Sequence, residues 1–392
     1  MAGARQEFVR VVRESGVRWA CTLALDRLVP LGVLRLWPPR MVSAARLGEQ
    51  VGTILQAWGV SAEHRAVIIE RMLYADLHGI DSHGCCMLPF YQRLRTEGRL
   101  NPTPRIEVVH ETATTALLDG GGGLGHVPAT LAMEHAIAKC RATGIAAVAV
   151  RNSGHFGAAG AYARMATEHG LIGIATTSTP TPSVVPTFGR DALLGTNPIA
   201  FAAPAARNPP FLLDMATSAA SLGKLVEHWR TGRRIPNGWA LDARGRSTTN
   251  GRIAAEGRRL APLGGDAEHG GHKGYGLAAM VEIVSTVLPG VPLADPGSAG
   301  RASVGHFLLA IDPACFRRDG GFAGDLDRLI DRLHAAPPLE TTEPVLVPGD
   351  PEYQIVARRL AEGIPLTKSV LEGIRGVARA SGVPFVLDAA RS

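Results

Sequence analysis

Residues 145–160 read IAAVAVRNSGHFGAAG, an apolar run of six residues that stops at a polar, glycine-rich turn carrying one imidazole. A short apolar run with β-branched members is typical of a strand that is covered on both faces of a sheet. The glycines that follow let the backbone approach a ligand closely, and a helix is expected to begin behind them. This stretch predicts an α/β fold in which a buried strand delivers His155 to a site.

His155 is the first candidate for catalysis. The unperturbed pKa of imidazole, roughly 6.5, lets it take or give a proton near neutral pH, which suits chemistry at a hydroxyl or carbonyl carbon. A histidine in a loop is more often a hydrogen-bonded structural group, so its spacing alone leaves both roles open.

The bulk composition describes a globular protein. With 392 residues and 46% hydrophobic composition, the chain can bury a large core, and its length favours two or three domains. The net charge is +6, and residues 1–40 alone contribute +4, with seven Arg against Glu7, Glu14 and Asp26. Because no dense Lys/Arg block with interleaved aromatic residues occurs, we expect no nucleic acid partner.

Residues 19–37 are largely apolar, but Asp26, Arg27, Pro30 and Arg35 interrupt them. Charges at the centre of a membrane span cost about 2.5–3.5 kcal/mol each, so we expect neither a membrane span nor a secretory signal. Two interpretations of residues 1–40 stay open: a loosely docked amphipathic arm, or sequence upstream of a true start at Met41.

The five cysteines are scattered and form no C-x-x-C pair. Neither a disulfide framework nor a zinc site is expected, and no other metal site is indicated. The cysteines are interpreted as small buried hydrophobes in a protein of the reducing cytoplasm.

Residues 42–77 have the pattern of two packed helices, with Ser61 as the N-cap of the second. They lead into ADLHGIDSHG at 75–84, which holds two imidazoles, two carboxylates and a hydroxyl within ten residues. This density indicates a site. A helix end at Gly79 followed by a turn at Asp81 is the structural alternative.

Residues 120–125, GGGGLG, formally satisfy the G-x-G-x-x-G dinucleotide fingerprint between a strand and a helix. The fingerprint also requires an acidic residue about 20 positions on, and the next strand ends instead in Arg151-Asn152-Ser153. We favour a chance match over a Rossmann site.

Further polar turns follow predicted strands or precede predicted helices: TSTPTP at 177–182, GTNP at 195–198, DMATS at 214–218 and GGHKGYG at 270–276. The last precedes an apolar helix at 277–288 that we expect to be buried. Lys273 at its start can reach a phosphate or carboxylate oxygen, although a solvent-facing role is equally compatible with its position.

Six short blocks in one order carry a family resemblance: ADLHGIDSHG, NSGHFG at 152–157, GTNP, DMATS, IPNGW at 235–239 and KGYG at 273–276. From about Met41 to the C-terminus the chain resembles the malate/L-lactate dehydrogenase family, which includes ureidoglycolate and sulfolactate dehydrogenases, 2,3-diketogulonate reductase and cyclic-imine carboxylate reductases.

The resemblance implies a non-Rossmann, malate/lactate (sulfolactate) dehydrogenase-like α/β fold and an intertwined homodimer. Its parts would be a mixed-sheet NAD(P)-binding domain and a helical/α+β dimerisation domain. Residues 1–40 would be an extension, 41–115 the helical part of the dimerisation and substrate domain, 116–290 the NAD(P)-binding and catalytic domain, and 291–392 a C-terminal part returning to the first domain.

The resemblance also implies the chemistry: interconversion of a 2-hydroxy acid and a 2-oxo acid with NAD or NADP. His155 would be the acid/base, with Ser82 and His83 opposite it. Cofactor contacts would fall on Thr179, Asp214, Met215, Ala216, Thr217, Lys273, Gly349 and Asp350. The alternatives are a cyclic-imine carboxylate reductase and an NAD(P)-binding protein without dehydrogenase activity.

Two departures from the family pattern bear on these roles. Met87 stands where the family commonly has an Arg that suits a substrate carboxylate, and Met cannot make a bidentate charged contact. The Thr177-Ser178-Thr179 loop is also about one residue longer than usual, which weakens the assignment of Thr179.

Overall fold

The computed structural model describes residues 38–293, 303–339 and 344–388. Residues 1–37 of the predicted extension, including the apolar stretch at 19–37, lie outside these ranges. Arg40, the last residue of that extension, belongs to strand β1. None of the helices in these ranges combines the length and apolar character that crossing a membrane requires.

The central element is a seven-stranded mixed sheet in the order β2-β3-β4-β8-β5-β6-β7. Its strands are β2 (Glu107–Glu111), β3 (Thr115–Asp119), β4 (Ile145–Ser153), β5 (Ile172–Thr177), β6 (Ile199–Ala203), β7 (Phe211–Met215) and β8 (Val304–Ile311). Among the described strands only β3 and β4 pair in parallel, and every other neighbouring pair in the sheet is antiparallel. The mixed pairing confirms a non-Rossmann α/β fold. The sheet also takes in β2 from the segment 41–115 and β8 from the segment 291–392.

Two helices cover one face of the sheet. Helix α4 (His126–Thr143) packs on β4 and β8, and α5 (Gly160–Thr167) packs on β5 and β6. The residues of β4 that face α4 are fully buried, whereas those of the opposite face are only half-buried. The prediction of a buried strand leading to His155 is therefore confirmed for one face of the sheet.

A second unit is mostly helical. Its elements are β1 (Arg40–Val42), α1 (Ala44–Ala57), α2 (Ala62–Leu77), a 3₁₀ turn (Cys85–Met87), α3 (Leu88–Thr96), α10 (Asp350–Glu362), β9 (Ile364–Leu366) and α11 (Lys368–Ala380). Ser61 caps α2 by accepting the N–H of His64, as predicted. Strand β1 pairs with β9, so the C-terminal segment returns to the first helices of the chain.

A small lobe projects between β7 and the next long helix. It holds α6 (Leu222–Arg230) and α7 (Gly251–Gly257), and isolated bridges at Leu260 join it to Val184 and Ala240. Its own apolar cluster includes Leu225, Ile235 and Leu260. The lobe thus has a small apolar core of its own, separate from the core beneath the sheet.

Helix α8 (Gly271–Glu282) continues as a π-helical segment (Ile283–Val287) and packs on β8 and β4. The predicted helix began at residue 277; the observed one begins six residues earlier, which places Lys273 in its first turn. The prediction that this helix is buried was wrong for one of its faces, which is exposed in the single chain. Met280, Ile283, Val287 and Leu288 are 45%, 57%, 56% and 60% exposed. Helix α9 (Phe322–His334) follows β8 in the chain and precedes α10.

Candidate active site

His155 lies in the turn between β4 and α5, as predicted. Tyr91 of α3 places its hydroxyl 2.8 Å from His155 Nδ1, and the backbone N–H of Gly157 donates to the same nitrogen at 3.3 Å. A neutral imidazole has one donor and one acceptor nitrogen. The Gly157 N–H can only donate, whereas the Tyr91 hydroxyl can donate or accept. The ring proton can therefore lie on Nε2, with both contacts made, or on Nδ1, where it is donated to Tyr91 in place of the 3.3 Å contact.

The environment of His155 favours the neutral ring. Burial lowers its pKa well below the usual 6.5, and the nearby imidazoles of His83, His126 and His306 lower it further. Burial disfavours the charged form of any group, and further cations nearby act in the same direction. His155 is therefore neutral at physiological pH.

The structure brings Ser82 and His83 to His155. The rings of His83 and His155 stack with centroids 5.5 Å apart, and Ser82 Oγ lies 2.7 Å from His83 Nδ1. Burial lowers the pKa of His83 as well. The site thus has two neutral imidazoles and a hydroxyl on facing segments, which the sequence alone could place only through the family resemblance.

A buried carboxylate holds the loop that carries Ser82 and His83. Asp76 Oδ2 accepts the N–H of Cys85 at 2.9 Å, and a Cβ added to Gly84 would overlap the Asp76 carboxylate. Burial raises the pKa of Asp76 to about 7. Helix α2 ends at Leu77 with His78 as its C-cap, and Gly79 adopts a φ of 80°. The helix end is therefore present as the structural alternative had it, and the same ten residues place Ser82 and His83 beside His155.

A second layer of imidazoles, which the sequence did not predict, lies behind His155. His306 on β8 lies 2.8 Å from Ser153 Oγ and 2.7 Å from Thr177 Oγ1, and it stacks on Phe156 at 4.7 Å. His126 is fully buried, and neither ring nitrogen has a hydrogen-bond partner among the described residues. Burial lowers the pKa of both histidines to about 3. Neither lies in a recognisable motif, because only the pairing of β4, β5 and β8 brings them together.

Met87 lies in the 3₁₀ turn before α3, one helical turn from Tyr91. It is 7% exposed and belongs to the apolar cluster of the helical unit. The side chain that replaces the family's Arg is therefore part of the core.

The expected cofactor residues fall into two groups, of which the first lies at the end of β7. Asp214 Oδ2 accepts the N–H of Gly160 at 2.7 Å, and burial raises the pKa of Asp214 to about 6. Met215 and Ala216 follow Asp214 in the chain. The next residue, Thr217, donates its hydroxyl to the carbonyl of Asn197 at 3.0 Å. The polar turns at 195–198 and 214–218 are therefore packed against each other.

Gly349 and Asp350 lie beside the same strand. The N–H of Leu212 in β7 donates to Pro348 O at 3.1 Å, and Asp350 Oδ2 accepts the N–H of Val347 and contacts His334 Nε2 at 2.6 Å. Gly349, at a φ of 107°, is the N-cap of α10. The structure thus places late-chain residues beside the first residues of β7.

The second group surrounds the start of α8. Lys273 is exposed in the first turn of that helix. Thr179 donates its hydroxyl to Thr181 O at 3.3 Å, and a Cβ added to Gly195 would overlap this hydroxyl. Asn197 donates to Ala278 O of α8 at 3.0 Å, while its buried Oδ1 has no hydrogen-bond partner within the described ranges. Hydroxyls, a free amide acceptor and an ammonium group fit a polar cofactor in their chemistry.

Comparison with known proteins finds similarity to hydroxy-acid dehydrogenases over most of the chain. The family model for malate/L-lactate dehydrogenase matches residues 42–375. A malate dehydrogenase of Pyrococcus abyssi is 41% identical over 334 residues, which cover 84% of this chain and 92% of that protein. An L-sulfolactate dehydrogenase of Methanothermobacter thermautotrophicus is 39% identical, over 83% of this chain and 93% of that protein. The crystal structure of malate dehydrogenase from Entamoeba histolytica superimposes with a TM-score of 0.83 at 32% identity, covering 88% of this chain and 99% of that one.

Proposed function

This chain belongs to the malate/L-lactate dehydrogenase family, and on that premise we propose that it interconverts a 2-hydroxy acid and its 2-oxo acid with NAD or NADP, using His155 as the acid/base. It is an oxidoreductase that acts on hydroxy acids. The observation that carries the role of His155 is its placement: a neutral, half-buried imidazole that faces Ser82 and His83 and is held through Nδ1 by Tyr91.

In the oxidising direction His155 Nε2 takes the proton of the substrate hydroxyl, and in the reducing direction it returns that proton to the carbonyl oxygen. A nicotinamide cofactor, when bound, would provide the hydride chemistry at the substrate carbon. For Nε2 to act as a base, the ring proton must lie on Nδ1. The Tyr91 oxygen can then accept that proton in a hydrogen bond, because a tyrosine hydroxyl serves as donor or acceptor.

For the cofactor we propose the residues at the end of β7 (Asp214, Met215, Ala216, Thr217), the pair Gly349 and Asp350 beside the start of that strand, Thr179 after β5, and Lys273 in the first turn of α8. What supports this assignment is that the turns at 195–198 and 214–218 pack together, with Thr179 beside Gly195. A positively charged Lys is suited to a phosphate-bearing ligand. Ser82 and His83 are proposed to contact the substrate from the side opposite the cofactor.

The test is His155→Asn, which keeps the size of the side chain but removes the titratable nitrogen. General acid–base catalysis contributes typically 10²–10⁴-fold, so kcat should fall by about that factor in both directions. NADH and NADPH binding, followed by fluorescence, should be unchanged. Near-native turnover of every 2-oxo acid in a panel that the wild type reduces would remove His155 from the mechanism.

We also propose that the chain forms a homodimer through the apolar face of α8 and the segment after it. Three of its exposed residues, Met280, Ile283 and Val287, repeat at helical spacing, and contiguous apolar surface of this kind marks an interface. Ile283→Glu should convert the dimer to a monomer in light scattering. Leu360→Glu, at a residue 65% exposed on α10, is the matched control. A wild type that is monomeric at micromolar concentration contradicts the proposal.

The four cysteines that the structure describes, at 85, 86, 140 and 315, are unpaired. Free thiols are the usual state in a reducing compartment, which supports the cytoplasm as the proposed location.

A further inference from the structure

The loop that carries Ser82 and His83 rests on one face of α10, a helix of the C-terminal segment. A Cβ added to Gly79 would lie 2.8 Å from Ile355 Cδ1, so the backbone of the loop packs directly on that side chain. Arg359 comes four residues after Ile355 and therefore lies on the same face of the helix. Its guanidinium meets the loop again, so α10 contacts the segment just before Ser82 at two points.

The second contact is a bidentate ion pair. Arg359 Nη1 donates to Asp81 Oδ1, and Nη2 donates to Asp81 Oδ2 at 3.1 Å. Nη1 also donates to the backbone carbonyl of Asp76 at the base of the loop. The Arg359 side chain is 8% exposed whereas that of Asp81 is 57% exposed, so a buried guanidinium holds a carboxylate on the surface loop. A bidentate pair of this kind fixes orientation as well as distance.

The contacts of the loop enclose its two site residues. Asp81 directly precedes them, and on their far side Asp76 Oδ2 accepts the N–H of Cys85 at 2.9 Å. Arg359 bonds both the carboxylate of Asp81 and the backbone of Asp76, so one buried cluster holds the loop at its two ends. Removing the guanidinium would release the leading end of the loop and leave the other end attached.

Stability alone is a poor explanation for Arg359. Withdrawing a guanidinium from water carries a desolvation penalty that the attraction of its partner only partly offsets, and apolar residues of similar size often replace a buried ion pair without loss. The Arg359 Nε is buried and has no hydrogen-bond partner among the residues that the structure describes. The pair is therefore better explained by the position that it gives to Asp81.

We propose that Arg359 is a positioning residue for the substrate site. Through Asp81 it holds the loop of Ser82 and His83 in place. The inference rests on the proposed function, because these two loop residues are the ones proposed to contact the substrate. The rings of His83 and His155 have centroids 5.5 Å apart, and a displacement of about 1 Å in such a site can cost on the order of 10²-fold in rate.

The first test separates KM from kcat on a 2-oxo acid that the wild type reduces. Arg359→Gln and Asp81→Asn each break the bidentate pair, the second from its exposed side, where folding is least at risk. Because His155 stays in place while the substrate contacts loosen, kcat/KM should fall by about 10–100-fold, with most of the change in KM. The Kd of NADH or NADPH should stay within about threefold of the wild-type value. A role in folding alone would instead lower the amount of active enzyme, and with it kcat, at unchanged KM.

The two residues must also act as a unit. The double variant that combines Arg359→Gln with Asp81→Asn should lose little more than either single variant, because both changes remove one contact. Arg359→Lys keeps the charge but not the planar fork, so it should recover only part of the loss. Losses that multiply in the double variant would show that the two side chains act separately, and the proposal would fall.

Arg375 supplies a matched control in the same helical unit. Its Nη2 lies 2.8 Å from each carboxylate oxygen of Asp388, which ties α11 to the turn at Val386–Asp388. Arg375→Gln removes the same group from a bidentate contact with an aspartate and should leave KM unchanged. An equal rise of KM in this variant would assign the effect to a general loss of stability and overturn the proposal.

Hydrogen exchange measures the loop without turnover. The N–H groups of His83 and Cys85 donate to Ile80 O and Asp76 Oδ2, both at 2.9 Å, so they report whether the loop keeps its shape. In Arg359→Gln the amides of residues 80–86 should exchange at least about tenfold faster, while residues 145–153 of β4 stay protected. Unchanged exchange in the loop overturns the proposal. If the wild type reduces no 2-oxo acid yet the loop loses protection in the variant, the proposed function fails and the positioning role of Arg359 stands.

Discussion

Tyr91→Phe isolates the hydrogen bond that orients the candidate acid/base. Tyr91 is fully buried and its hydroxyl lies 2.8 Å from His155 Nδ1. Removing that hydroxyl leaves Nδ1 with only the longer, 3.3 Å contact from the Gly157 N–H. Phenylalanine fills nearly the same volume, so the change removes a hydrogen bond without opening a large cavity.

The expected magnitudes follow from this geometry. A buried polar atom left without its partner costs about 1–3 kcal/mol, so the melting temperature should fall by a few degrees. A histidine ring that is free to turn loses alignment with the reacting oxygen, and small misplacements of a catalytic group cost on the order of 10²-fold in rate. We expect kcat to fall about 10–100-fold, less than in His155→Asn, because the imidazole itself remains.

The assay measures kcat and KM in both directions. The variant cannot change the equilibrium constant of the reaction, so kcat/KM must fall by corresponding factors for oxidation and reduction. The control is Ser381→Ala, which removes the 2.9 Å hydrogen bond from the Trp58 indole to Ser381 Oγ and should cost comparable stability without loss of rate. If Tyr91→Phe loses stability like the control but keeps native kcat, the hydrogen bond is structural and does not orient His155.

Two further predictions concern stability. First, desolvation lowers the pKa of five histidines below 6.5 and raises the pKa of Asp76 and Asp214 above 3.8. Between about pH 6.5 and 4.5 unfolding takes up protons on the histidines and releases them from the aspartates. Because the histidines are in the majority, the free energy of unfolding should fall on acidification, by up to about 1.4 kcal/mol per pH unit for each net proton, and the melting temperature should fall with it. A melting temperature that is constant or rises from pH 6.5 to 5 contradicts this balance. Second, Gly84→Ala forces a methyl group into the Asp76 carboxylate and should cost at least about 1–3 kcal/mol together with a loss of kcat, because Asp76 holds the loop of Ser82 and His83. Gly376→Ala, in α11 with nothing within 4 Å of the added Cβ, should be neutral or stabilising, and equal melting temperatures for the two variants would argue against the contact.

Local patterns in the sequence were enough to predict the strand at 145–150, the helix that follows the His155 turn and the two helices within residues 42–77. The run at 145–150 becomes β4 because its apolar, β-branched residues face α4, and Ser61 caps α2 because its side chain accepts the N–H of His64. These features depend on neighbours within a few positions. The exposed face of α8 could not be predicted, because an apolar helix has the same sequence pattern whether its own chain or another covers it.

The layer of His126 and His306 was missed for a different reason. His306 meets Ser153 and Thr177 only because β8 lies between β4 and β5, a pairing that joins positions more than 120 residues apart. No spacing within one segment encodes that contact. The resemblance brought His83 and His155 together by analogy, but the imidazoles behind them, which lower the pKa of His155, emerge only from the strand order.

Asp214 shows how one side chain can serve the fold and the proposed cofactor site together. Its Oδ2 accepts the N–H of Gly160 at the start of α5, and a carboxylate at a helix N-terminus stabilises that end of the helix. Gly160 lies five residues after His155, so this bond ties the end of β7 to the segment that carries the candidate acid/base. A carboxylate has two oxygens, and Oδ1 remains for a second contact. Asp214 therefore links the position of His155 to the end of β7, where the cofactor is proposed to bind. Its side chain serves both the fold of this segment and the proposed cofactor site.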